Sequence, residues 1–243
     1  MSRAPLLVVT GTGTGIGKTH LSAALIQAWA ARLRAQGKVE PKVAAIKPIE
    51  SGVHHGMLGG TDNEILRGES TFHVKQLPPP YLLTRALSPH LAARMDGRRI
   101  DLSVVTHWVG EIRAQADGVL VELPGGLFTP LNETPARTNA DLARALAPTA
   151  IALVAPDRLG VLHDLGAVTR AAHIEDLPLS GILLSAPDPR DASTGDNACE
   201  VPLVTNVPVL AALPHAPVDA LTINPALVRA LMTLIPSLGF KAR

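Results

Sequence analysis

The run Gly11-Thr12-Gly13-Thr14-Gly15-Ile16-Gly17-Lys18-Thr19 narrows the choices for this chain more than any other stretch of it. Before it lies the apolar, β-branched segment Leu6 to Thr10. After it, Leu21, Ala24, Leu25 and Ala28 recur at the spacings of three and four that give a helix one apolar face. Strand, glycine-rich turn, Gly-Lys-Thr and helix in that order predict a loop that holds phosphate. Glycines let consecutive amides converge on phosphate oxygens, and the helix N-terminus adds its partial positive charge. In such a loop Lys18 is placed to neutralise the β and γ phosphates of a nucleoside triphosphate, and the Thr19 hydroxyl to ligate Mg²⁺. Five residues separate Gly11 from Gly17, where about four are usual, so the loop is a variant form. The spacing G-x-G-x-x-G is absent, which counts against a dinucleotide.

The rest of the chain repeats the strand-then-helix order. Strands are expected at Lys42 to Ile46, Val119 to Glu122, Ile151 to Val154, Leu179 to Leu184 and Val207 to Leu213. Helices are expected from Lys18, and at Asp101 to Gln115, Thr138 to Leu146, Val161 to His173 and Pro225 to Leu234. This alternation predicts an α/β fold, a mostly parallel sheet flanked by helices in one domain over residues 1–243, within the P-loop nucleoside triphosphatase superfamily. With aromatics at only 2%, the core falls to Leu, Val, Ile and Ala, which suits a sheet buried on both faces. Pro78-Pro79-Pro80 predicts an extended connection, and the polar, Pro/Gly-punctuated stretch Asp188 to Asn206 gives the weakest signal for its structure.

Lys+Arg of 22 against Asp+Glu of 21 gives a net charge of +1, too little field to hold a nucleic acid by counterion release. The longest apolar runs are far shorter than the roughly 20 residues that cross a bilayer, and no leader pattern precedes the first strand, so a cytoplasmic location is expected. Cys199 is the only cysteine, which excludes an internal disulfide framework.

Lys47 ends the second strand, at the edge where open α/β sheets bind ligands, and is a candidate to hold a carboxylate or a transferred phosphoryl group. Glu122 ends the buried run Val119-Leu120-Val121, where an unpaired carboxylate would be costly, and is a candidate Mg²⁺ ligand. Asp62 reads either as a second Mg²⁺ ligand or as the cap of a short helix. The adjacent His54 and His55 read as solvated loop residues, and Ser51, His163 and Asp164 do not read as a nucleophile triad.

In order along the chain stand Gly11-x5-Gly17-Lys18-Thr19, Ile46-Lys47-Pro48-Ile49-Glu50-Ser51-Gly52, Thr61-Asp62, Ser88-Pro89-His90, Glu122-Leu123-Pro124-Gly125-Gly126 and Arg158-Leu159-Gly160. In these blocks the sequence resembles the dethiobiotin synthetases. The resemblance implies an enzyme using ATP, Mg²⁺ and CO2 to close the ureido ring of dethiobiotin on 7,8-diaminononanoate. It implies Lys18 and Lys47 bracketing carbamate and γ-phosphate, Ser51 touching the substrate, and Thr19, Asp62 and Glu122 serving the metal. Gly15, Ile16, Gly17, Lys18, Thr19 and His20 would surround the phosphates, with Asp62, Glu122, Gly125, Ser185, Leu213 and Pro214 completing the nucleotide site. A homodimer is also implied, in which Leu159 and Gly160 face the partner's substrate.

Three positions depart from the family pattern. Leu123-Pro124 replaces Gly-Ala, so that Pro124 brings no backbone donor; Ser185-Ala186 stands where an Asn-Asp pair reads adenine; and His163 replaces an asparagine. A related P-loop ligase acting on another amine or carboxylate, an inactive relative, and a nucleotide-switched binding protein remain as alternatives. The last usually carries a second lysine early in the loop, which Thr12 to Ile16 lacks.

Overall fold

A computed structural model describes residues 3–53, 60–74 and 77–239. Its centre is a six-stranded parallel sheet in the order β10-β9-β8-β1-β5-β2, made of β1 (Leu6–Gly11), β2 (Val43–Ile46), β5 (Gly118–Glu122), β8 (Ala150–Pro156), β9 (Gly181–Ser185) and β10 (Val209–Leu213). The strand β1 pairs β5 on one side and β8 on the other, so the order reverses at β1 and a crevice opens at its carboxyl end. Two minor sheets flank this one: β3 (Ile49–Ser51) pairs β4 (Tyr81–Leu83) in parallel, and β6 (Pro130–Glu133) pairs β7 (Ala136–Thr138) antiparallel.

Side chains alternate across the sheet as strand geometry requires. Leu7 and Val9 point to the face covered by α1 (Lys18–Ala35), α8 (Val218–Thr222) and α9 (Pro225–Leu234). Leu6 and Val8 point to the opposite face, covered by α3 (Pro89–Met95), α4 (Leu102–Arg113) and α5 (Asn139–Leu146). Further along, α6 (Val161–Ile174) packs Val161 and Leu165 on Leu153, Ile182 and Leu184. Every residue of β1, β5 and β8 is buried, the mark of a parallel sheet covered on both faces.

The periodicity of α1 predicts one apolar face, but the helix is enclosed on nearly all sides: Ala23, Ile26, Trp29 and Ala30 are buried along with Leu21, Ala24, Leu25 and Ala28. Tertiary cover, not amphipathicity, holds it. Trp29 lies against Gly118 so closely that a Cβ there would come within 2.4 Å of its ring. The stretch Asp188 to Asn206, where the sequence signal is weakest, holds a one-turn helix, α7 (Asn197–Glu200), whose Asn197 bonds the buried Asp157 at 2.7 Å. Among the described residues no helix is long and apolar enough to cross a membrane.

Candidate active site

The loop from Gly11 to Gly17 leaves β1 at the order reversal and turns into α1. Gly15 and Gly17 have φ of +70° and +89°, conformations that strain any residue with a Cβ. At Gly17 a Cβ would also stand 2.7 Å from the Ser185 hydroxyl, so the end of β9 presses against the loop. Lys18 turns back over the loop, donating to the Gly13 carbonyl at 2.6 Å. Burial lowers its pKa to about 8, a fall that nearby Glu122 only partly opposes.

Glu122 is the hub. Fully buried at the end of β5, it accepts from the Thr19 hydroxyl at 2.8 Å and the Lys47 ammonium at 2.9 Å through Oε1, and from the Ser22 hydroxyl at 2.9 Å through Oε2. Lys47, just beyond β2, also donates to Asp62. Burial works against its charge, but Glu122 and Asp62 outweigh burial and raise its pKa. Thus Lys47 joins the phosphate loop and the second strand through one carboxylate.

Asp62 opens α2 (Asp62–Glu69). The cap is Thr61, not Asp62: Thr61 accepts from the Glu64 amide while Glu64 accepts from the Thr61 amide, a capping box that frees the Asp62 side chain for Lys47. Glu50, 6% exposed, accepts from the amides of Asp62 at 2.6 Å and Asn63 at 3.1 Å. The Asn63 side-chain amide donates to Glu50 at 2.6 Å and to the Lys47 carbonyl at 2.9 Å.

The segment after Glu122 is pinned differently from what a donor count at Pro124 suggests. Asn139, fully buried, donates to the carbonyls of Pro124 at 2.5 Å and Gly126 at 2.8 Å. Leu123 is buried in the core with its amide on the Val9 carbonyl at 2.9 Å, and Leu127 donates to the Gly11 carbonyl at 2.9 Å. Gly125 has φ +68°, and a Cβ there would meet the Thr129 hydroxyl at 2.6 Å. The proline thus sits in a segment ordered through its carbonyls.

Lys18, Thr19, Lys47, Asp62 and Glu122 therefore meet around one carboxylate-ammonium network. Ser51 ends β3 one residue beyond Glu50, and its hydroxyl is buried without a hydrogen-bond partner in the described residues, so it makes no link to His163. His54 and His55 lie outside the described residues. His20 directs its ring to the Ala216 carbonyl at 2.6 Å and stacks parallel to His215, at 6.4 Å between centroids. Leu213 is buried in the core with its carbonyl bonded to the Ala186 amide at 2.9 Å, and Pro214 follows it at the surface. Leu159 is 76% exposed and Gly160 caps α6 with φ +93°, and neither joins the Lys47 network. Ser22, Glu50, Asn63 and Asn139 belong to the site's framework but carry no motif signal beyond Glu50's place in the Lys47 block.

Parallel strands, a phosphate loop leaving the central strand and a buried acid on the adjacent one define a P-loop nucleoside triphosphatase fold. Solved structures agree on that fold. A ParA family ATPase from Chlorobium tepidum TLS superposes with TM-score 0.55 at 14% identity, over 96% of this chain and 93% of that one. The septum site-determining protein MinD complexed with Mg-ADP, from Pyrococcus horikoshii OT3, gives 0.55 at 16% identity over 95% and 94%. A family model described as an AAA domain matches residues 6–219.

Within that class the chain belongs to the ATP-dependent dethiobiotin synthetase family. It is 37% identical over 214 residues to such a synthetase from Anaeromyxobacter dehalogenans strain 2CP-C, covering 87% of this chain and 90% of the relative. It is 34% identical over 208 residues to one from Nitrosospira multiformis, covering 85% and 87%.

Proposed function

We propose that this chain is an ATP-dependent cyclo-ligase that forms dethiobiotin from 7,8-diaminononanoate and CO2. The observation that carries the reading is Lys47, a charged ammonium fixed between Glu122 and Asp62 and joined through Glu122 to Thr19 of the phosphate loop. That placement suits a reaction in which an anion made on the substrate meets a γ-phosphoryl group. One substrate amine attacks CO2 and loses a proton to give a carbamate. A carbamate oxygen takes the γ-phosphoryl group from ATP, releasing ADP. The second amine then attacks the carbamoyl carbon, expelling phosphate and closing the ring.

In this scheme Lys18 and the amides of residues 15–20 hold the phosphates, Lys47 steadies carbamate and transferred phosphoryl, and Ser51 offers its uncommitted hydroxyl to the substrate. The oxygens of Thr19, Asp62 and Glu122 are hard donors of the kind Mg²⁺ takes: the Thr19 hydroxyl donates to Glu122 Oε1, and that oxygen and Asp62 share the Lys47 ammonium. Among the described residues no group of three His, Cys, Asp or Glu could hold a metal ion by itself, so in this reading phosphate and water oxygens would complete the shell. Bound there, Mg²⁺ supplies positive charge to the phosphate oxygens. Gly125, Ser185, Leu213 and Pro214 complete the nucleotide site in this reading.

A homodimer completes the substrate site, with Leu159 and Gly160 turned to the partner's substrate. The exposure of Leu159 supports this, as does its fixed position: its amide donates to Asp191 at 2.8 Å.

The test is phosphate release with Mg-ATP and bicarbonate, with and without 7,8-diaminononanoate, followed by mass detection of the product. Diamine-dependent release with dethiobiotin supports the reading. Absence of release with ATP, and again with CTP and GTP, would overturn it.

A further inference from the structure

The N-terminus of α2 is satisfied from two sources. The capping box formed by Thr61 and Glu64 serves two of the four amides that a helix start leaves without partners. The two amides between them, Asp62 and Asn63, donate to a carboxylate from another element, that of Glu50 on β3. Glu50 is 6% exposed, and no lysine or arginine pairs with it among the described residues. Its charge is met only by α2's positive end and by the Asn63 side-chain amide. Water could serve those two amides at a helix start, whereas a buried anion without a cation carries a desolvation cost. What it adds is a fixed place: Asn63 simultaneously holds the Lys47 carbonyl, so one clamp ties α2 to the residue whose ammonium meets Asp62.

We propose that Glu50 is a positioning residue whose carboxylate docks the start of α2 on β3 and thereby sets where Asp62 meets Lys47. The proposal deepens the reading above, since it takes Asp62 to serve the metal-nucleotide complex. In this role Glu50 acts through Asp62, whose amide it holds, and not on the reacting groups. Its neighbour on β3 is Ser51, so the same short strand carries the substrate contact and the anchor for Asp62.

The test uses the full chain with Glu50→Gln, isosteric but uncharged, beside Asp62→Asn and Thr61→Ala. Two quantities are read: hydrogen exchange at the Asp62 and Asn63 amides, and the Mg²⁺ concentration that half-saturates the enhancement of ADP binding, followed by calorimetry. In Glu50→Gln the two amides exchange at least about tenfold faster while those of Glu64 to Glu69 keep their protection. The half-saturating Mg²⁺ rises by about tenfold, as in Asp62→Asn, and metal-free ADP affinity stays within about twofold because the phosphate loop is untouched. Thr61→Ala, which removes only the helix's own cap, lowers stability without moving the Mg²⁺ requirement. Unchanged amide exchange in Glu50→Gln overturns the proposal, as does an Mg²⁺ shift equally large in Thr61→Ala. If Asp62→Asn leaves the Mg²⁺ requirement unmoved while Glu50→Gln still frees the two amides, the metal role of Asp62 falls and the docking role of Glu50 stands. Should Glu50→Gln fail to fold, Asn63→Ala, which cuts the link to the Lys47 carbonyl while leaving Glu50 on the two backbone amides, is read by the Mg²⁺ requirement: a rise with little change in amide exchange supports the proposal, and an unmoved requirement overturns it.

Discussion

The two lysines of the site stand a few ångströms of carboxylate apart and are treated in opposite ways. Lys18, 6% exposed, has only the Gly13 carbonyl as a hydrogen-bond partner for its ammonium among the described residues, and burial holds its pKa down to about 8. Lys47, 7% exposed, sits between two carboxylates that overcome burial and hold its pKa above the ordinary lysine value. Equal burial thus yields one ammonium whose charge is only partly compensated and one whose charge is fully spoken for. In the proposed reading the first awaits an arriving anion, and a triphosphate would offset its buried charge. The second serves as a fixed point, holding Glu122 and Asp62 in place before any ligand binds.

The contrast can be broken by exchanging the losses. Lys47→Ala should lower turnover by about a thousandfold, the scale of losing a preorganised charge at a reacting group, while nucleotide affinity stays within about threefold. Lys18→Ala should lower turnover and also weaken nucleotide binding by about 10- to 100-fold, the loss of one charge-assisted contact. Equal effects of the two on nucleotide binding would erase the distinction. Next in size, Glu122→Gln leaves Lys47 buried with Asp62 alone, and urea unfolding should show a loss of about 3 kcal/mol. A loss no larger than that of a surface substitution would mean the network holds little together.

The smallest effect sharpens the comparison. Near pH 8 Lys18 is about half protonated, so binding a triphosphate should take up about half a proton, read by calorimetry in buffers of different ionisation enthalpy. Lys18→Met should abolish the uptake. The same depressed pKa governs stability: between about 8 and 10.5 the unfolded chain binds more protons than the folded one, so stability should rise with pH across that window. Lys47, raised above 10.5, gives up its contribution only at higher pH.

The phosphate loop and the strand-helix alternation were legible because each is local: glycines, Gly-Lys-Thr and periodic apolar residues lie close in sequence. Lys47 and Glu122 were legible from their places at strand ends, where a charge after a buried run needs a reason. Glu50, Asn63, Ser22 and Asn139 were not, because their roles depend on partners 12 to 100 residues away and their identities are common in ordinary turns and helices. The three-residue strands β3, β4 and β7 are too short for alternation to register. Asp62 was ambiguous for a physical reason: an acid at a helix start serves as a cap as readily as a ligand, and only the Thr61 and Glu64 pairing shows that Asp62 is not the cap.

The enclosure of α1 has a consequence for motion. Its middle amides, from Leu21 to Ala30, can meet solvent only when the sheet and its covering helices come apart, so they should exchange no faster than the whole molecule unfolds. The helix α2 buries one residue, Leu66, and can lift away at far smaller cost. The two helices that carry site residues thus differ in how deeply the rest of the fold encloses them, α1 along most of its length and α2 at one residue.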